Sequence, residues 1–411
     1  MLLGMGGERQ ATGDHAAAAH AVSKIGDRMP LVVGLLLTSL TLRPQVVGIG
    51  PLVPEIQRSL DMSHAFTGLL VTIPVLCLGI FAPLAPVIAG RIGAINAVSA
   101  AGLLIALAGM ARAFVPGATG LILFTFLVGV GMGVGNALMV IAVKERFADR
   151  PLLLTAVYST GIQFGATASA IVAVPLALWL GDWRWSLLVM SAASLLFVLA
   201  WVVATRNMHV QRQRGVFPRF PLRSSIVWSF AAMFGLMGVV FYGLATWAPS
   251  AYVELGYSET SVGWLAALYN IGTLPTSLAV GLIGERVTRR QALVAASAVM
   301  TIATLLFALV PSLGFEWMLL AGIANGMMFT VTMSLPLDVA DSPIDVGAAA
   351  GMMLFVGYLI TACAPSALGW VRDLTGSFDL VLLAFPVAAG LFCLLAMTLS
   401  PARLQRGIRQ P

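Results

Sequence analysis

Charge is scarce in this chain. Asp, Glu, Lys and Arg make up 10% of its 411 residues, against about 25% in soluble domains. A surface so poor in charge cannot cover a soluble globule of this length. Acids are scarcest where they would count: none of the 17 Asp and Glu lies inside a long apolar run, and Glu55, Glu316 and Asp338 stand at run ends. Paired carboxylates at depth, the usual device of acid–base chemistry, are therefore excluded. Cysteine is reduced to Cys77, Cys363 and Cys393, all in apolar runs and none in a CxxC pair, which indicates neither a disulfide framework nor a metal site. Of the four histidines, His15 and His20 share no helix face, and His64 and His209 lie near run ends. With no metal cluster and no Ser/His arrangement at depth, the chain is not expected to be an enzyme or to need a cofactor. The stretch to Asp27 is Gly- and Ala-rich without a long apolar core, so a solvated tail is expected there rather than a cleaved signal.

What the sequence has in abundance is apolar length: 59% of its residues are hydrophobic. Runs long enough to span a bilayer recur at 31–54, 66–89, 94–114, 119–143, 152–180, 186–205, 226–251, 261–283, 291–311, 316–337, 346–370 and 380–400. A hydrocarbon core of about 30 Å needs about 20 residues of helix, so these runs predict an all-α integral membrane protein of twelve transmembrane helices. Most connections are short. The polar, Arg-rich stretch from Arg206 to Arg223 is the exception. It predicts a tail over 1–29, a six-helix bundle over 30–205, a linker over 206–224, a second bundle over 225–402 and a tail over 403–411.

A net charge of +6 can indicate nucleic acid, but the charges are distributed by side. With the N-terminus inside, 18 of the 23 Lys and Arg fall on inner segments, and Arg58, Arg112, Arg184 and Arg372 on outer loops. That asymmetry predicts a cytoplasmic (inner) membrane protein with both termini cytoplasmic and a lipid bilayer, not nucleic acid, as its surroundings. The halves also look related. An offset of 195 residues maps Pro54 to Pro249, Ser63 to Ser258, Gly68 to Gly263, Arg91 to Arg286 and Gly181 to Gly376, and these fall at helix ends and turns without a gap.

Arg43 completes the basic residues. It lies about 13 residues into the first run, near mid-bilayer for a rise of about 1.5 Å per residue, where an unpaired charge costs at least ~2.5 kcal/mol. An arginine held by backbone carbonyls for packing would satisfy the sequence; a ligand contact on a water-filled path is favoured, because ionisable residues at that depth are usually functional. Other mid-depth polar residues are Gln45, Asn136, Tyr158, Gln163, Tyr242, Tyr269, Asn270, Asn325 and Tyr358. For each amide, hydrogen bonding between helices competes with ligand contact. Gly129, Gly131, Gly133 and Gly135 precede Asn136. They form two overlapping small-xxx-small pairs, expected to pack helices closely. Gly161 with Gly165, Gly322 with Gly326 and Gly347 with Gly351 repeat the theme.

Gly281-Leu-Ile-Gly-Glu285-Arg286-Val-Thr-Arg289-Arg290, after the eighth run, resembles the loop motif of the major facilitator superfamily, with Glu285 replacing its Asp and Thr288 its Gly. The counterpart after the second run keeps Arg91 but has Gly90 in place of the acid. Plain positive-inside anchoring is the alternative reading of both loops. Leu42-Arg43-Pro44, Gly135-Asn136-Ala137 and Asp182-Trp183-Arg184-Trp185 are similar to the cyanate and 2-nitroimidazole permease branch. The resemblance implies two six-helix pseudo-repeats working by alternating access, gating through Arg91, Glu285 and Arg286, and a central cavity lined by runs 1, 4, 7 and 10. Arg43, Asn136, Tyr242 and Asn325 fall on those runs. Together with Gln45, Gln163, Tyr269 and Tyr358 they form the expected substrate-binding set. A monomer moving a small-molecule substrate, a small monoanion, is expected. A multidrug or small neutral-compound exporter of the same fold is the alternative, but the fifth run, Tyr158-Ser-Thr-Gly-Ile-Gln-Phe-Gly-Ala, lacks the Gly-Pro signature usual in such exporters.

Overall fold

The computed structural model describes residues 29–146, 151–208, 220–283, 287–339 and 343–400. Among these, all regular structure is helical. Eleven helical segments are long and apolar enough to cross a membrane: Met29–Leu60, His64–Ile92, Ala94–Ala111, Ala118–Val143, Thr160–Leu180, Trp183–Thr205, Ser225–Glu254, Arg289–Leu309, Pro311–Asp338, Asp345–Thr375 and Asp379–Met397. The helix Glu259–Ile283, of 25 residues, fills the eighth place. All twelve apolar runs are thus helices of a multi-pass membrane protein.

The repeat is visible in the backbone. Asp61 (φ 50°) and Gly256 (φ 90°) end the first and seventh spans in left-handed conformations, and Gly181 (φ 80°) and Gly376 (φ 74°) end the fifth and eleventh. Each pair is 195 residues apart, the offset already read from the sequence, so both halves turn at the same places. Capping follows suit: Ser63 Oγ accepts from Phe66 N at 3.2 Å and Ser258 Oγ from Ser261 N at 3.3 Å, each opening the second span of its half. Ser side chains there satisfy amides that have no partner within the helix.

Glycine sets the helix spacing. Gly129 and Gly133 face the second span: a Cβ on Gly129 would lie 2.8 Å from Pro74 Cα, and one on Gly133 would overlap the Cys77 carbonyl. Gly131 and Gly135 face the other way, where added Cβ atoms would lie 2.9 Å from Ala101 O and 3.2 Å from Leu42 Cδ2. The two overlapping pairs thus serve two different neighbours. Gly161 and Gly165 seat the fifth span on Ser39 and Leu40, and Gly322 and Gly326 seat the tenth on Tyr269 and Thr273. Among the described residues an added Cβ would meet nothing within 4 Å at Gly347 and only Phe220 at Gly351, which corrects the expectation that this pair packs helix on helix. Replacing Gly133 with leucine should lower stability by ~1–3 kcal/mol or more, because backbone blocks the space. Thermal unfolding in detergent, with Gly347→Leu as the unaffected control, checks this.

The first span is interrupted beside Pro44. It stops at Ser39 and resumes at Pro44–Val47, Gly50–Leu52 and Val53–Leu60. Pro44 has no amide hydrogen to give to Leu40 O, and its ring disfavours helical geometry at Arg43. Thr41 N and Leu42 N turn instead to Thr38 O (3.0 Å) and Ser39 O (3.3 Å). Pro51 and Pro54 stand at the starts of the next two segments.

The halves meet on one side of this break. Gly68 packs on Pro365, Thr72 Oγ1 and Ser366 Oγ are 3.0 Å apart, and Gly263 lies against Val174. At the same end Asp373, from the eleventh span, caps the second: Oδ1 accepts from His64 N (3.1 Å) and Oδ2 from Ala65 N (2.9 Å), while His64 Nδ1 lies 2.8 Å from Oδ1. Trp247 Nε1 donates to Pro365 O at 2.8 Å, and Arg372 pairs with Glu254 at 2.5 Å. The Gly68, Thr72, Asp373 and Gly263 contacts join the two halves at the His64 end, while those of Trp247 and Arg372 brace the second half beside them.

Candidate functional site

The break leaves Arg43 half-buried in the interior, between the two halves. Its Nη1 donates to Gln163 Oε1 of the fifth span at 2.8 Å. Its guanidinium carbon stands 5.7 Å from the ring centre of Phe241 on the seventh, within the ~6 Å reach of a cation–π contact. The phenols of Tyr242 and Tyr358 lie within electrostatic reach of the same guanidinium. Phe241 also meets Tyr242 edge-on at 4.8 Å and Tyr269 of the eighth span at 5.6 Å, and Tyr358 sits edge-on to Phe234 at 5.1 Å. Arg43, Gln163, Tyr242, Tyr269 and Tyr358 therefore gather around one point from five spans. Among the described residues Arg43 has no ion-pair partner.

Among the described residues, Tyr269 Oη, Asn270 Oδ1 and Asn325 Oδ1 are buried without a hydrogen-bond partner. Leaving such atoms unsatisfied costs about 1–3 kcal/mol each. Asn270 Nδ2 is committed to Ala266 O at 2.8 Å, so its free atom is an acceptor. The fifth and eighth spans run antiparallel, with Val174 against Gly263 and Ala166 and Ala170 clustered with Ala266 and Val47. One turn further, that register brings Asn270 to the level of Ala166. Asn325 lies between Gly322 and Gly326, which pack on Tyr269 and Thr273. Asn136 is half-buried and makes no side-chain hydrogen bond among the described residues; its neighbour Gly135 touches Leu42. It lies at the depth of the break, but no contact joins it to Arg43.

Gln45 is placed differently from the expectation of substrate contact. Two residues beyond Arg43, it points to the opposite side of the span and is 1% exposed. Its Oε1 accepts from Ser191 Oγ (3.2 Å) and from Arg112, and its Nε2 donates to Ser194 Oγ (3.4 Å). Arg112, counted by sequence on an outer loop, is fully buried. The signal was present: Arg112 falls inside the apolar run 94–114. Phe241 and Phe234 were not singled out either, because a phenylalanine in an apolar helix carries no mark distinguishing a site from a core.

Of the expected gating residues, Arg91 is exposed in the last turn of the second span and makes no ion pair among the described residues. Glu285 and Arg286 lie outside the described residues. Arg289 of the same motif donates to Ser334 O (2.8 Å) and pairs with Asp338 (2.5 Å), tying the ninth span to the end of the tenth.

The family model described as Major Facilitator Superfamily matches residues 31–359 and 250–408. The chain belongs to the Major Facilitator Superfamily. It is 28% identical over 375 residues to a 2-nitroimidazole transporter of Escherichia coli (strain K12), covering 90% of this chain and 95% of that one. It is 25% identical over 350 residues to the cyanate transport protein CynX of the same organism, covering 85% and 91%. Among solved structures, a D-xylose-proton symporter superposes with a TM-score of 0.73 over 90% of this chain and 97% of that one, at 15% identity. That last likeness is one of fold. As a facilitator with transporter relatives, the protein is a membrane transporter of small solutes.

Proposed function

We propose that the protein carries a small, flat organic or inorganic monoanion across the cytoplasmic membrane by alternating access, with the anion held by Arg43. The observation that supports this is a guanidinium at the centre of the bundle with no ion-pair partner among the described residues. An arginine cannot lose its proton there, and its planar fork suits a carboxylate-like or other delocalised anion. Among the described residues no acid pairs with it, since the acids of the spans stand at their ends, so the substrate is the natural partner. Gln163 fixes one arm of the fork, and Phe241, Tyr242, Tyr269 and Tyr358 supply ring faces and hydroxyls around it. The two proposed bundles, 30–205 and 225–402, would rock about this point. The contacts at Asp373 hold the His64 end shut, so the site opens toward the Arg91 end, which the distribution of Lys and Arg makes cytoplasmic. Moving Arg112 from the outer loops into the core sharpens that asymmetry.

A flat neutral solute is the second reading, favoured by the ring-lined surroundings of Arg43 and by the relative named for 2-nitroimidazole. Uptake by purified protein in liposomes separates the two. Cyanate and nitrate should compete for the same site and 2-nitroimidazole should compete weakly. Uptake of 2-nitroimidazole that ignores excess anion would overturn the anion reading. Orientation has its own test: reporters fused within 206–223 and after the C-terminus should both report cytoplasm, and a periplasmic signal from either would reverse the assignment.

A further inference from the structure

We propose that Arg112 is a positioning residue for Arg43: it clamps the broken turn of the first span from behind and sets the direction of the Arg43 fork. This rests on Arg43 being the substrate contact. Arg112 Nη1 donates to the Gln45 carbonyl at 3.2 Å, and Nη2 donates to Gln45 Oε1. Backbone and side chain of one residue are thus held by one guanidinium. From the sixth span Ser191 Oγ donates to the same Oε1, and Ser194 Oγ accepts from Gln45 Nε2. Gly109 presses the third span onto this assembly, since a Cβ there would lie 2.6 Å from Ser191 Oγ and 3.0 Å from Gln45 Oε1.

The turn needs such a hold. Between Ser39 and Pro44 the helical ladder is interrupted, and Arg43 O accepts from Val46 N (3.0 Å) and Val47 N (3.1 Å), so Arg43 is tied to the segment that carries Gln45 rather than to the helix before it. Residues two apart on a helix point to opposite sides, and the partners agree: Gln45 is held by the third and sixth spans, Arg43 by the fifth and seventh. Fixing Gln45 therefore fixes Arg43. Stability alone does not account for the arrangement. Arg112 is 0% exposed, faces no carboxylate among the described residues, and its Nε has no partner. A buried cation so poorly compensated is generally less stabilising than an apolar side chain of its size. A planar fork can span a backbone oxygen and a side-chain oxygen together, whereas an ammonium presents a single point charge.

Arg112→Lys in the full-length protein keeps the charge and loses the fork. Hydrogen exchange of amides 40–48 should speed up about tenfold or more, as expected when a local constraint is released, while exchange in the seventh span stays unchanged. With cyanate and 2-nitroimidazole as probes, affinity should fall about ten- to a hundredfold, the scale of a small misplacement. The same change in an Arg43→Lys background should cost little more, because the fork being aimed is already gone. Unchanged exchange over 40–48, or an equal loss of affinity in both backgrounds, overturns the proposal. If Arg112→Lys does not fold, Ser191→Ala removes one donor to Gln45 Oε1 and should show the same effects at smaller size. If neither probe binds the unmodified protein, the substrate reading of Arg43 fails, and the exchange measurement alone decides whether Arg112 clamps the turn.

Discussion

Arg43→Ala should abolish nearly all uptake in proteoliposomes while leaving thermal unfolding in detergent close to that of the unmodified protein. The two effects separate because Arg43 ties few elements together: among the described residues its side chain bonds to Gln163, lies over the Phe241 ring and has the phenols of Tyr242 and Tyr358 close by. Hydrogen bonds to charged groups contribute about 1.5–3 kcal/mol each, and two lost together would lower affinity by more than about a hundredfold. Removing a cation from the bilayer interior also relieves a desolvation cost, which offsets the lost contacts. Arg43→Lys should restore uptake only in part, because an ammonium keeps the charge but cannot present two parallel donors to a flat anion. Gln163→Ala should lie between wild type and Arg43→Lys, since it frees the fork without removing it. Full uptake by Arg43→Ala would make Arg43 a packing residue and leave the anion without a binding partner.

A disulfide between cysteines at 72 and 366 should stop transport and its reduction should restore it. Thr72 Oγ1 and Ser366 Oγ are 3.0 Å apart on spans from different halves, and Gly68, one turn away, brings the two backbones close, so this is the pair of positions to bridge. Cys77, Cys363 and Cys393 would first be replaced. The bridge would fasten the His64 end, and a carrier that works by rocking cannot then expose its site to that side. Asp373→Asn should act in the opposite direction. The carboxylate accepts from two amides at the positive end of a helix, an interaction worth ~0.3–2 kcal/mol to the closed arrangement. Its loss should raise labelling of a cysteine at 366 by a membrane-impermeant reagent. Uptake unaffected by the oxidised pair would show that this end does not open during transport.

The spans themselves are decided by composition. A run of apolar residues longer than the hydrocarbon core has to be helical, because only a helix satisfies its own backbone polar groups in lipid. For the same reason the Gly129–Gly135 ladder could be read as close packing, and the offset of 195 residues could be read from Ser63 and Ser258 or Gly181 and Gly376. Such features are local: each depends on a residue's own backbone preference or its immediate environment. Arg43 was conspicuous because its charge is improbable where the sequence puts it.

Which side chains meet is another matter, since partners hundreds of residues apart leave no mark on one another's sequence. Asp373 reads as a loop acid near the end of the eleventh run until the fold carries it to the start of the second. Gln45 and Arg43 read alike as neighbours on one helix. The interruption at Leu40–Arg43 and the positions of the third, fifth, sixth and seventh spans send one side chain to the Phe241 cluster and the other to Arg112. Arg112 itself reads as a loop charge because helix ends in sequence blur over a few residues. Only packing decides whether such a residue reaches water or, as here, closes on an amide in the core.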